Sequence, residues 1–260
     1  MERHHVAALC LLIVIAVVCA LAGREFLKMY EPDEIVPGPG VTKIDNLSTY
    51  FGALAGTSSD TKVYVLDSGK PGATALVLGG THPNEPAGFM TAVVLTEHAT
   101  VREGKLIVIP QVCSSGFTCT DPLEGYPQSF SIQSKSKTRS FRLGARGSNP
   151  LIEWPDPLVF LQYPSGQQLS GNEVRNLNRS YPGRPYGTVT EQVAYAVMQL
   201  IDREKVDLAI DLHEAAPEIP IINAIVTHEK GKEIAASALF NLESENLQFA
   251  LEMSPLNFHG

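Results

Sequence analysis

Thr74-Ala75-Leu76-Val77-Leu78-Gly79-Gly80-Thr81-His82-Pro83-Asn84-Glu85-Pro86 is the stretch that decides the fold. Its first five residues carry no charge and read as a short strand buried on both faces. Helical spacing follows from Glu85 to His98, so the unit reads strand, turn, helix. Gly79 and Gly80 let backbone pass close to a bound group. The turn after a strand's C-terminal end is also where open α/β sheets place their ligands. His82 and Glu85, three residues apart on that turn, can converge an imidazole and a carboxylate on one ion. A purely structural alternative stands beside this: Asn84 as helix N-cap, Glu85 at the positive end of the helix dipole, and His82 decorating a turn.

Working outward, Lys62–Asp67, Lys105–Val112, Val206–Leu212, Ile221–Thr227 and Gln248–Met253 are further expected strands, and Thr190–Arg203 and Lys232–Leu242 further helices. The alternation predicts an α/β sheet covered by helices. Val193, Ala194, Val197, Met198 and Ile201 make one apolar stripe on the Thr190–Arg203 helix, which core packing explains. Between Ser114 and Pro185 the chain is rich in Ser, Gly, Pro, Arg and aromatics with weak periodicity, which suggests a functional surface built from loops.

The chain has 260 residues, 44% apolar and 18% charged, enough for a sizeable core and incompatible with disorder as the main state. Its formal charge of −8 argues against a phosphate-neutralising nucleic-acid binder. Four cysteines do not make a disulfide scaffold. Val6 to Ala22 carries no charged or strongly polar side chain and partitions into hydrocarbon, either as an uncleaved anchor or as a signal cleaved near Ala20-Leu21-Ala22. Either fate places the remainder outside the cytoplasm. Residues 1–23 are therefore a signal or transmembrane anchor, 24–44 a linker rich in Pro and Gly, and 45–260 the catalytic-type domain, expected to be incomplete at its C-terminal end. Once exported, Cys113 and Cys119 are either a short disulfide loop or two unpaired thiols.

Three more motifs carry chemistry. Val206–Glu214 is a buried-type strand that delivers His213 at its C-terminal end, with Asp211 two residues before it. His82, Glu85 and His213 together offer two imidazole nitrogens and one carboxylate, the three protein ligands a catalytic zinc needs beside an open position. Arg175-Asn176-Leu177-Asn178-Arg179 sets a guanidinium beside a carboxamide, which suits recognition of a carboxylate. Phe249–Met253 puts Glu252 in an otherwise apolar strand, where a buried acid needs a partner or a raised pKa and makes a candidate general base. Glu214 is its rival.

This ordered set, His82-x-x-Glu85, Asn178-Arg179, Asp211-Leu212-His213 and a late Glu252, resembles the succinylglutamate desuccinylase/aspartoacylase family of the zinc carboxypeptidase superfamily. Gly144, Arg146, Asn149 and Trp154-Pro155-Asp156 resemble the family's preceding loop. The resemblance implies a mixed, mainly parallel sheet with helices on both faces and one zinc held by His82, Glu85 and His213. It implies that Asn178 and Arg179 hold a substrate carboxylate and that Glu252 activates water. A further arginine polarises the scissile carbonyl in that family; Arg142, Arg146 and Arg175 lie in the right region, and Arg146 is favoured. The expected activity is zinc-dependent hydrolysis of an amide in an N-acyl amino acid or a short peptide with a free carboxylate, with membrane contact through the N-terminal segment if it is uncleaved. A membrane-tethered zinc-binding protein without turnover is the competing expectation.

Overall fold

The structure is a computed structural model that describes residues 3–121, 126–133, 137–215 and 223–254. The apolar N-terminus forms one helix, α1 (Arg3–Leu27), exposed along its whole length and long and apolar enough to cross a membrane. There follow β1 (Lys43–Asn46), β2 (Lys62–Asp67), β3 (Thr74–Leu78), α2 (Pro86–His98) and β4 (Lys105–Ile109). Two hairpins come next, β5 (Gln128–Gln133) with β6 (Thr138–Leu143) and β7 (Val159–Leu161) with β8 (Gln168–Ser170). The described chain ends with α3 (Val189–Arg203), β9 (Leu208–Asp211), β10 (Ala224–Thr227), α4 (Lys232–Ser244) and β11 (Ala250–Met253).

Five strands form a mixed sheet in the order β1-β2-β4-β3-β9. β4, β3 and β9 run parallel, while β2 is antiparallel to both β1 and β4. Strand alternation sends Leu76, Leu78, Ile107 and Ile109 to one face, where Val193, Ala194, Val197 and Leu200 of α3 cover them. Val77, Val108 and Leu66 face the other side and meet Ala92 of α2. With both faces covered, β2 to β4 show no polar alternation, as the apolar runs predict. α3 starts where Thr188 and Glu191 form a capping box, each side chain taking the other's backbone N–H. Because β4, β3 and β9 are parallel, their carboxyl ends share one edge of the sheet.

Three differences from the sequence reading have physical causes. The stretch from Ser114 to Pro185 is not all loop: it holds the two hairpins, in which β5, β6 and β8 are rich in polar residues and β7, though apolar, is only three residues long. The segment expected as a linker is stitched to the domain. Met29 is buried, Asp33 accepts hydrogen bonds from Gln111 and from the backbone and side chain of Arg142, and Glu97 receives the Val36 N–H. Finally, β10 and β11 pair with each other in a separate two-stranded parallel sheet with α4 against it. The first residues of the strand expected at Ile221–Thr227 lie outside the described residues. Cys113 and Cys119 are free thiols.

Candidate metal centre

β3 leaves the sheet through Gly79, whose N–H donates to Ile109 O at 2.8 Å, and Gly80, which adopts a positive φ of 65° that favours glycine. A tight turn, closed by the Glu85 N–H on His82 O at 3.0 Å, brings both side chains to the same side before α2 begins at Pro86. Glu85 occupies the N-cap position but makes no side-chain capping bond. Its carboxylate instead faces two rings: Oε1 lies 2.7 Å from His82 Nδ1 and Oε2 lies 3.0 Å from His213 Nδ1. The first turn of α2 is satisfied by Glu214, which accepts the Ala87 N–H at 2.9 Å. Glu214 therefore serves the helix, and its backbone N–H donates to Glu85 Oε2 at 3.0 Å.

β9, hydrogen-bonded to β3 in parallel register, delivers His213 beside this turn. The His82 and His213 ring centroids are 4.9 Å apart, and one ligand atom from each of His82, Glu85 and His213 lies within 4.8 Å of the others. Both imidazoles present Nδ1 to the shared carboxylate and have an oxygen behind Nε2. Asp211 Oδ2 is 3.0 Å from His213 Nε2 and Asn176 Oδ1 is 3.0 Å from His82 Nε2. Asp211 also accepts from Thr81 Oγ1 at 2.8 Å. Two neutral nitrogens and a carboxylate, each ring backed by an acceptor, match the donor chemistry of a zinc site with positions left for water and substrate. Asn84 Nδ2 donates to Asp121 at 2.9 Å and does not cap α2, His82 is 2% exposed and so does not merely decorate the turn, and Glu85 does sit at the positive end of α2.

Electrostatics follow from the same contacts. Burial disfavours the Glu85 carboxylate, but hydrogen bonds from His213 and His82 outweigh it and hold its pKa well below the usual range. Burial likewise opposes charge on His213, yet its bonds to Asp211 and Glu85 raise its pKa to about 10 in the metal-free protein.

The three candidate arginines separate cleanly. Arg146 Nη1 donates to Glu85 Oε1 at 3.0 Å, and its backbone N–H donates to Asp121. Arg142 is occupied by Asp33 and the Met29 carbonyl, and Arg175 makes a two-point bond to Asp156. Arg179 is half-buried; burial lowers its pKa, Glu173 opposes that, and the Arg146 charge lowers it further, so the two guanidinium groups lie within Coulombic reach. The Asn178 backbone N–H is held by Asn176 Oδ1 at 3.0 Å.

Glu252 is not brought to the triad. It is exposed on β11, and among the described residues its carboxylate makes no hydrogen bond or ion pair, contrary to the burial expected of it. The apolar flanks that suggested burial, Leu251 and Met253, belong to a two-stranded sheet too small to bury its faces. Asn176, Glu173 and Thr81 were not singled out by sequence reasoning; Asn176 sits inside the Arg175–Arg179 motif, where its spacing two before Asn178 is the available signal.

The fold and donor geometry can be set beside known proteins. No family model matches the chain, and no curated protein matches it. Among solved structures it is similar to a succinylglutamate desuccinylase from Silicibacter sp. TM1040, with 21% identity over 77% of this chain and 47% of that one, at a TM-score of 0.48. An aspartoacylase family protein from Mesorhizobium loti matches at 21% identity over 75% of this chain and 55% of that one, with a TM-score of 0.42. A metallo-carboxypeptidase from Burkholderia cenocepacia matches at 12% identity over 89% of this chain and 52% of that one, with a TM-score of 0.47. The chain spans about half the length of these structures.

Proposed function

We propose that this chain is a zinc-dependent amide hydrolase acting on N-acyl amino acids or on the C-terminal end of short peptides. The observation that carries the reading is the convergence of His82, Glu85 and His213 from two parallel strand ends and one helix start, with Arg146 bonded to Glu85. Bound at those three ligands, zinc supplies Lewis acidity toward an amide carbonyl and lowers the pKa of water toward neutrality. Arg179 and Asn178 hold the substrate's free carboxylate, and the Arg146 guanidinium donates to the carbonyl oxygen as negative charge develops there. Asp211 and Asn176 keep the two imidazoles oriented. Glu252 enters as general base through the sequence resemblance alone, taking a proton from the attacking water and passing it to the leaving nitrogen; that role requires the β10–β11 unit to carry its carboxylate to the triad. The apolar α1 supports anchoring or export, with the domain outside the cytoplasm.

Metal analysis of the purified chain beside His82→Ala and His213→Ala tests the site: about one zinc in the parent and none in either variant is the expected result. Hydrolysis of a panel of acyl-amino acids and short peptides tests the activity. Turnover confined to internal peptide bonds contradicts the carboxylate clamp, and zinc without turnover on the whole panel leaves a binding protein. In Glu252→Gln, turnover is expected to fall about 10²–10⁴-fold with zinc retained; unchanged turnover removes Glu252 from the mechanism.

A further inference from the structure

A histidine that ligates an ion offers one nitrogen lone pair and keeps its proton on the other nitrogen, and the partner of that second nitrogen fixes the choice. For His82 the partner is Asn176, whose Oδ1 lies 3.0 Å from Nε2. Carboxamides can be turned over, so the orientation must come from what else they touch. Asn176 Oδ1 also accepts the Asn178 backbone N–H at 3.0 Å, and Asn176 Nδ2 donates to Glu173 Oε2 at 2.7 Å. A backbone N–H can only donate and a carboxylate can only accept, so these two contacts permit one orientation, with oxygen toward the ring. The backbone of Asn176 is fixed as well: its N–H donates to Glu173 O at 3.0 Å, and its carbonyl accepts from Arg179 N and Ser180 Oγ, both at 2.9 Å. Asn176 is 4% exposed, so water does not compete for these bonds.

We propose that Asn176, oriented by Glu173, is a positioning residue that keeps the proton on His82 Nε2 and turns Nδ1 into the ion pocket. The inference rests on the zinc reading above, and it makes the two histidines unlike: His213 is backed directly by a carboxylate, whereas His82 is backed by a neutral amide with the negative charge one residue farther out. Since the same oxygen holds the Asn178 backbone, one carboxamide ties the ligand to the strip of chain carrying Asn178 and Arg179.

The experiment uses the full chain in detergent, with zinc affinity measured by chelator competition and the protonation of His82 Nε2 read from imidazole ¹⁵N shifts, assigned against His82→Ala; in the metal-free protein Nδ1 keeps its own bond to Glu85, so Nε2 alone is diagnostic. Asn176→Leu keeps the size and removes the acceptor; zinc affinity is expected to fall about 10–100-fold. Asn176→Asp combined with Glu173→Gln reverses donor and acceptor along the relay but keeps an oxygen on His82, so affinity is expected to stay within about threefold of the parent. Retained affinity in Asn176→Leu, or a loss in the double variant as large as in Asn176→Leu, overturns the proposal. Should Asn176→Leu not fold, the double variant and the parent's ¹⁵N spectrum decide, and a His82 Nε2 that carries no proton overturns it. A parent that shows the Nε2–H tautomer but takes up no zinc upholds the positioning role and removes the metal reading beneath it.

Discussion

A single methyl group at Gly88 tests what holds the triad together. Gly88 lies in the first turns of α2, against the end of β9. A Cβ there would stand 3.1 Å from the Leu212 carbonyl carbon, closer still to its oxygen, and 3.6 Å from His213 N. The obstacle is backbone, and Leu212 N is already bonded to Leu78 O at 2.9 Å, so β9 cannot yield toward the sheet. Relief must come from α2 moving away as a body, on the order of 1 Å, to restore ordinary contact distances. Glu85 opens α2 while His213 follows β9, so that movement stretches the contact now 3.0 Å long between Glu85 Oε2 and His213 Nδ1. Overpacking costs about 1–3 kcal/mol, and the better helix propensity of alanine offsets about 1 kcal/mol, so Gly88→Ala should fold. Zinc affinity should fall about 10–100-fold, and turnover about 100-fold for a displacement of this size. Chelator competition, run beside a thermal melt, separates the two effects. Parental zinc affinity in a folded Gly88→Ala protein would refute the idea that the α2–β9 contact sets the ligand geometry.

Three further expectations follow from the same coordinates. In the metal-free protein the His213 pKa of about 10 lies above the unfolded value of about 6.5, so its contribution to stability is fully present below about pH 6.5 and is lost as pH rises through about 10. Ligation needs the neutral ring, so zinc affinity should rise about tenfold per pH unit between about pH 7 and 9, and a flat profile in chelator competition refutes the assignment. Burial pushes the Cys113 thiol up to about 12 and the Cys119 thiol up to about 11, so both should resist thiol-specific alkylation at neutral pH until the protein is unfolded; fast labelling of Cys113 in the native state would contradict its burial. Phe89, fully buried between Phe117, Phe130 and Phe141, should cost about 3–5 kcal/mol when replaced by alanine, read from denaturant unfolding, and a loss well under that would show the aromatic cluster relaxes around the hole.

The sheet was legible because β2, β3 and β4 are covered on both faces, and a strand of that kind writes itself into sequence as an unbroken apolar run. His82 and His213 drew notice for a related reason: each follows closely on the end of such a run, on the edge of the sheet where open α/β folds place ligands, and Glu85 entered by its three-residue offset from His82. The burial expected of Glu252 misled because the same cue, an acid among apolar neighbours, arises equally on a two-stranded sheet that exposes its faces. The contacts of Asn176 with His82 and of Thr81 with Asp211 were not legible, since they link residues far apart in the chain, and the local Asn176–Glu173 bond has no periodic signature to mark it. The docking of residues 29–38 was hidden by a Pro- and Gly-rich composition that reads as linker, although Asp33 and Glu34 hold it through Arg142, Arg139 and Lys137.

The division of labour between scaffold and loop bears on substrate choice. The three ion-facing groups sit on short segments tied directly to regular elements, just after β3, at the N-cap of α2 and just after β9, so the sheet and α2 fix their positions. The cationic groups come from irregular chain between the hairpins and α3, where Arg146 and Arg179 approach each other within a protein of net charge −8. Like charges brought together in a half-buried place are disfavoured, which is why the charge of Arg146 acts to lower the pKa of Arg179. Each cation already faces an acid, Arg146 bonded to Glu85 at 3.0 Å and Arg179 3.9 Å from Glu173, so a substrate carboxylate at Arg179 competes with Glu173 for that guanidinium. In the proposed reading the preference for a substrate carboxylate therefore rests on Arg179 exchanging one acidic partner for another, and its long-range part should weaken as salt is raised, because Arg146 is exposed enough to be screened.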